Sequence, residues 1–345
     1  RDVSLLAPVR FGRLVFDEAQ HLKNPSTAMS KAAATLQAER RIALTGTPVE
    51  NRLSELWALM QLLNPGLLGS LQRFRDHFVV PIERERDAEV ASRLQRLTAP
   101  FILRRLKSDK NILPDLPAKI EQSEACALTA EQATLYQAVV AELLEAAASS
   151  DGIERQGLVL AGLTRLKQVC NHPAHYLDDG SALPRRSGKL DRAEELVDAI
   201  LDAGEKALIF TQFTTWGERL REHLRHRYGL EPLWLHGGLA GRARDAMVQR
   251  FSEKNGPPLF LLSLKAGGTG LNLTAAAHVI HYDRWWNPAV EDQATDRAHR
   301  IGQRRTVHVH KLMCGGTIEE RIDAMIQRKK ALSEQVVGSG EGWLT

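Results

Sequence analysis

The sequence predicts an α/β protein in which two doubly wound parallel parts are separated by a helix-rich insertion. Three observations lead there. Short apolar runs near the start end in polar residues, strand signals vanish between about Leu53 and Lys167, and apolar runs alternate with amphipathic stretches after Gly188. A length of 345 residues gives room for two ordinary domains, each with its own core.

The elements follow in order. Leu14-Val15-Phe16 leads into Asp17-Glu18, and Ile42-Ala43-Leu44 leads into Thr45-Gly46-Thr47-Pro48; both runs read as buried strands with polar C-terminal ends. Helical character from Ser26 to Gln37 makes this a strand, helix, strand unit of parallel topology. Leu56, Leu59, Met60 and Leu63, at spacings of three and four, begin an α-rich insertion. Thr129-Ala130-Glu131-Gln132 has the form of a capping box and predicts a helix to about Ala148. Loop signals follow at Ser149 to Gly152 and at Asp178 to Gly188, the second serving as the domain linker. Beyond it, Ala207 to Phe210, Leu233 to Leu235, Leu259 to Leu262, His278 to Tyr282 and Val307 to Leu312 predict five strands with helical crossovers. A helix from Thr317 to about Val337 closes the pattern. The division expected from these signals is 1–52, 53–180 and 181–345.

Composition excludes several classes. Apolar residues at 43% and charged residues at 26% suit a soluble globular protein, and no apolar run is long enough to span a membrane. The chain opens on Arg1, with no apolar stretch of a secretory signal, and reads as a piece of a longer protein. Cys126, Cys170 and Cys314 are too few and too widely spaced for a disulfide framework or a four-ligand zinc site, so a reducing cytoplasmic location is expected. A net charge of +4 permits nucleic-acid binding without requiring it.

Four segments carry chemistry. Asp17-Glu18, directly after a strand, suits magnesium-assisted phosphate chemistry: one carboxylate holds the hydrated ion while its neighbour orients or deprotonates water. The bland alternative is a helix N-terminus decorated with acids. Thr45-Gly46-Thr47-Pro48 offers hydroxyls and close backbone approach to a phosphate site, or is an ordinary turn. Ala266 to Asn272 is a glycine-rich loop after a strand, able to present backbone N–H groups to phosphates. The helix expected after Pro288 would put Gln293, Asp296, Arg297 and Arg300 on one face and Val290, Ala294 and Ala298 on another. Two guanidinium groups one turn apart suit a polyanion; the bland alternative is a solvated charged face with an Asp296–Arg300 pair.

Two segments imitate sites. Ser187-Gly188-Lys189-Leu190 looks like the end of a phosphate-binding loop but has Leu183 and Leu190 where that loop needs glycine and a hydroxyl residue. Cys170-Asn171-His172 has no partner pair at zinc spacing and reads as packing and a turn.

Taken in order, Asp17 to His21, Leu44 to Pro48, Phe101 to Asp109 and Asp292 to Gln303 closely resemble the SWI/SNF-type family of superfamily-two, helicase-related ATPases. Lys167 to Pro173, Leu235 to Gly238 and Trp286-Asn287-Pro288 are similar to further signatures of that family. The resemblance implies two RecA-like lobes, the first truncated, that hydrolyse ATP between them and track along double-stranded DNA. Asp17, with Glu18, would hold Mg2+, and Glu18 would activate water. Gly268, Gly270 and Gln293 would contact the nucleotide, with Arg297 and Arg300 as arginine fingers. Thr45, Gly46, Thr47, Thr211, Gln212, Lys265, Gly267, Asn272 and Trp286 would bind DNA or couple it to the nucleotide. DNA-bound proteins or a polymerase are the implied further partners, with no membrane and a monomeric state. The family's phosphate-binding loop belongs well upstream of Asp17, and only 16 residues precede it here, so the chain alone is expected to be inactive. A non-hydrolysing nucleic-acid binding module is the alternative. Arg284 stands where many relatives carry proline, which leaves the turn before Trp285 and Trp286 unassigned.

Overall fold

The structure is a computed structural model that describes residues 2–46, 52–107, 109–264, 266 and 270–337. Thr47, Lys265, Gly267 and Gly268 lie outside the described residues. The chain divides into two compact units: Arg1–Ile112 with Asn287–Ala289 and Gln327–Thr345, and Leu113–Trp286 with Val290–Ile326.

In the first unit, β1 (Arg10–Phe16) and β2 (Gln37–Ala43) form a two-stranded parallel sheet, in register from Arg10 opposite Gln37 to Phe16 opposite Ala43. The crossover helix is Ala28–Thr35, capped by Thr27, whose side chain accepts from the backbone N–H of Ser30. The parallel unit read from sequence is therefore present, but its strands are not buried. Val15 is 54% exposed, Ile42 45% and Leu44 50%. Successive side chains of a strand point to opposite faces, and the described residues cover one face here. Phe16 packs with Leu22, Ala33 and Leu62, while Val15 points away from them. The helical part that follows, beginning with Leu53–Leu63, closes around Leu53, Leu56, Met60, Phe74, Phe78 and Leu94.

The second unit holds a six-stranded sheet: β3 (Lys119–Cys126), β4 (Ala207–Thr211), β5 (Leu233–Leu235), β6 (Leu259–Ser263), β7 (His278–His281) and β8 (Val307–Cys314). Its order is β3-β8-β7-β4-β6-β5 and every pair is parallel. The sequence pattern predicts five strands here and puts residues 119–126 in the helical insertion. β3 escapes that pattern because it is an edge strand with most residues exposed, so Lys-Ile-Glu-Gln-Ser-Glu carries no apolar run. It pairs with β8 along its whole length, from Lys119 opposite Val307 to Cys126 opposite Cys314. With it, the capped helix Ala130–Ala148 and the helix Gly152–Asn171 fall in the second unit. The two compact units therefore part after Ile112, within the stretch that the sequence signals assign to the helical insertion.

Both faces of this sheet are covered. Along β4, Ile209 joins Leu261, Ile280 and Leu312 under Val197, Trp216, Leu220 and Leu224. Leu208 and Phe210 face the other way, with Leu262, Val279 and Val309 under Phe251, Ala294 and Ala298. The small apolar face expected of Ala294 and Ala298 packs as predicted. No helix among the described residues is long and apolar enough to cross a membrane.

Candidate functional site

Asp17 and Glu18 sit at the C-terminal end of β1, the edge at which open parallel sheets bind ligands. Glu18 adopts a left-handed backbone (φ 49°, ψ 46°), an uncommon conformation for a side chain without amide or glycine character. The turn is held by Asp17 Oδ1, which accepts the Glu18 N–H at 2.8 Å, and by Leu44 O, which accepts the Ala19 N–H at 2.9 Å. Gln20 Nε2 donates to Glu18 Oε2 at 2.6 Å, and Thr45 Oγ1 donates to Gln20 Oε1 at 2.9 Å. One amide side chain thus joins Glu18 to the turn after β2. Sequence reasoning gives Gln20 no role; its signal there is position alone, two residues beyond Glu18. Gly46 is exposed beside Thr45. The acids open on a cavity of about 460 Å³, otherwise lined mainly by apolar groups such as Val15, Phe16, Leu22 and Met29.

A second cluster lies at the C-terminal edge of the six-stranded sheet. Asp283, two residues past β7 and fully buried, accepts Thr211 Oγ1 at 2.5 Å and Asn171 Nδ2 at 3.2 Å through Oδ2. Its Oδ1 accepts the Gln212 backbone N–H at 3.0 Å and Gln212 Nε2 at 2.8 Å. Thr211 and Gln212 are therefore fixed, not free to rotate. Lys167, also buried, donates to the carbonyl of Arg284, and its ammonium lies 5.2 Å from the Trp286 ring centroid. Burial pushes the Lys167 ammonium below the usual lysine value, against the attraction of Asp283 and Glu319. Asp283 is missed by the sequence reading, although the rule that selects Asp17, a carboxylate just after an apolar strand, selects it too.

The third group joins loop to turn. The helix after Pro288 runs only from Pro288 to Thr295, which overturns the expectation of one helical face reaching to Arg300. After Thr295 the backbone tightens: Arg297 N–H reaches Ala294 O and Ala298 N–H reaches Thr295 O, three residues back. Gln293 stays on the helix, half-buried, while Arg297 and Arg300 sit in the turns beyond it. These turns meet the end of the glycine-rich loop. Leu273 N–H donates to Arg297 O at 3.0 Å, and Arg300 Nη1 reaches Leu271 O at 3.4 Å. Arg297 is buried and Arg300 exposed; Gly270 has φ +56°, and Asn272 is exposed next to Leu271. Buried His281 donates or accepts at Thr295 Oγ1 (2.9 Å), and burial lowers its pKa to about 4, so it is neutral at pH 7.

The two imitators have structural places. Ser187 caps the helix Gly188–Asp202, and Lys189 is buried in an ion pair with Glu319 at 2.5 Å. A Cβ on Gly188 would lie 2.0 Å from the Ala127 carbonyl oxygen, so close backbone approach, not phosphate, explains the glycine. His172 Nδ1 accepts the Ala174 N–H, and Asn171 bonds Asp283 and Lys189.

A family model described as SNF2-related domain matches residues 1–175, and one described as Helicase conserved C-terminal domain matches residues 188–302. The chain is 48% identical over 346 residues to the putative ATP-dependent helicase/translocase YwqA of Bacillus subtilis, covering 100% of this chain and 37% of that protein. It is 34% identical over 338 residues to a probable chromatin-remodeling complex ATPase chain of Oryza sativa subsp. japonica, covering 95% of this chain and 30% of that one. Among solved structures, the Sulfolobus solfataricus SWI2/SNF2 ATPase core in complex with dsDNA matches at 44% identity and TM-score 0.57, over 99% of this chain and 71% of that one. The chain spans about a third of the length of the curated relatives it matches.

Proposed function

Since the chain belongs to the SNF2-related family, we propose that it is part of an ATP-hydrolysing motor that translocates on double-stranded DNA. The observation that carries the reading is the chain of hydrogen bonds from Glu18 through Gln20 to Thr45. It couples a strand-end carboxylate, held in a left-handed turn, to the next strand end, as a site that reports its occupancy would require. Residue roles follow the sequence expectations. Asp17 and Glu18 fit a magnesium ion: a hard cation takes oxygen ligands and keeps several waters, and two exposed carboxylates beside an open cavity supply both. An ion held by Asp17 and Glu18 would supply neutralisation of phosphate charge. Glu18 orients and deprotonates water, and Gln293, Arg297, Arg300 and Gly270, with Gly268, contact the nucleotide. Thr45, Gly46, Thr211, Gln212, Asn272 and Trp286, with Thr47, Lys265 and Gly267, serve DNA contact and coupling. Contacts of this kind are directed at the backbone of DNA and carry little sequence information.

In this proposal the chain by itself does not hydrolyse ATP. DNA-bound proteins or a polymerase are its further partners, and it works as a monomer in the cytoplasm, on the nucleoid if the source is bacterial. Phosphate release measured with and without linear duplex DNA tests the reading, on this chain and on a form extended upstream. DNA-stimulated release from the extended form alone supports it, and Glu18→Gln or Arg300→Ala in that form lowers the rate by roughly 10²-fold or more. Absence of a DNA response in the extended form favours a binding module without hydrolysis.

A further inference from the structure

The turn after β7 is held by a buried charge that none of the roles above uses. Arg284 is 1% exposed, and its guanidinium donates to Glu291 from Nε at 3.0 Å and from Nη2 at 3.1 Å. Nη1 donates to Asp323 Oδ1 at 2.5 Å. Glu291 Oε1 in turn accepts the backbone N–H of Trp285 at 2.7 Å. The Arg284 carbonyl accepts Lys167 Nζ, whose ammonium lies 5.8 Å from the Trp285 ring centroid and 5.2 Å from that of Trp286. One residue therefore ties the helix Pro288–Thr295 through Glu291, the helix Ile318–Val337 through Asp323, and the turn bearing both tryptophans through its own backbone.

Only a planar guanidinium, with five donors in a fixed fork, meets a bidentate carboxylate and a second carboxylate at once; the compact ammonium of lysine does not. A buried ion pair of this kind adds little stability over apolar residues of similar volume, because desolvation of the charges offsets their attraction. What it does supply is direction: it fixes where the Trp285 N–H points and so which way the tryptophan turn runs.

We infer that Arg284 is a positioning residue that, with Glu291 and Asp323, orients the Trp285–Trp286 turn for engagement of duplex DNA. The inference rests on the motor reading proposed above. The test measures ATP hydrolysis by the full-length protein across a series of linear duplex DNA concentrations. It compares the unaltered protein with Arg284→Met combined with Glu291→Gln, which removes both buried charges, and with Asp323→Asn, which loosens one tie. The DNA concentration for half-maximal stimulation rises about tenfold in the double variant and about threefold in Asp323→Asn, while the DNA-saturated rate stays within about twofold. A role in folding alone lowers the saturated rate through loss of active protein and leaves half-saturation where it was; that result overturns the inference. If the double variant does not fold, Asp323→Asn decides, and an unchanged half-saturation overturns the inference there too. Absence of any DNA response in the unaltered protein overturns the motor reading itself, and does so without reference to the variants.

Discussion

β1 and β4 are both short apolar strands in parallel sheets, and each runs into a polar turn. β4 has a hydrogen-bonded neighbour on each side and apolar cover on both faces, and every residue in it is buried. Among the described residues β1 has one neighbour and cover on one face, and its outward side chains Arg13 and Val15 lie open. Their polar ends differ in the same sense. Beyond β4, Thr211 and Gln212 are fixed by a buried Asp283, whereas beyond β1 the carboxylates of Asp17 and Glu18 are exposed, and one amide ties that of Glu18 to Thr45. Within this chain, burial on both faces makes β4 a rigid frame, while β1 is covered on one face by the described residues.

The largest effect that would sharpen this contrast is acid lability of the second unit. Burial lowers the pKa of His172 to about 4, of His175 to about 3 and of His281 to about 4. The unfolded chain then binds more protons than the folded one as pH falls below about 6.5, so stability contributed by the neutral rings is full above that value and is lost towards pH 4. At about 1.4 kcal/mol per ring for each pH unit, three rings suffice to unfold a domain of ordinary stability. Trp216 stacks on His172 and His175 with centroids 5.4 Å apart in both cases, so its fluorescence follows the transition. Fluorescence constant down to pH 4 would break the comparison.

Next comes the paired loss of carboxylates. Asp283→Ala strands the buried donors of Thr211, Gln212 and Asn171 beside Lys167 and costs about 3–5 kcal/mol in denaturant unfolding. Asp17→Ala, at an exposed site, loses the bond to the Glu18 N–H and costs about 0.5–1.5 kcal/mol while removing a proposed metal ligand. Equal costs would mean that the two strand ends are built alike. Leu208→Ala should cost about 2–5 kcal/mol and Val15→Ala less than about 1 kcal/mol, since only the former opens a cavity.

The smallest effect concerns glycine. A methyl group added at Gly12 in β1 would meet nothing within 4 Å, and the backbone there has no positive φ, so Gly12→Ala stabilises by about 0.4–1 kcal/mol through the unfolded chain. Gly188→Ala drives a methyl into the Ala127 carbonyl and destabilises. Melting temperatures of the two variants moving in the same direction would contradict the packing difference.

Much of the fold was legible in the sequence because its signals are local. Asp17-Glu18 follows an apolar run, the capping box at Thr129 is present with both reciprocal bonds, and Ala294 and Ala298 pack as their size and spacing suggest. β3 was missed because an edge strand needs no apolar pattern; its place follows from pairing with β8, nearly two hundred positions away in the chain. The arginines beyond Thr295 were put on a helix because periodicity cannot tell a continuing helix from one that tightens into turns where Leu273 takes the Arg297 carbonyl.

The sequence by itself determined the order of strand ends and their chemical content: acids after β1, hydroxyl and amide after β4, glycines after β6, tryptophans after β7. Only the tertiary structure decided what holds them. Gln20 joining Glu18 to Thr45, Asp283 gathering Thr211 and Gln212, and Arg284 bridging Glu291 and Asp323 each depend on where donors and acceptors meet in space. Hydrogen-bond directions inside a dry core are set by packing of distant segments, and a linear pattern of residues does not contain them.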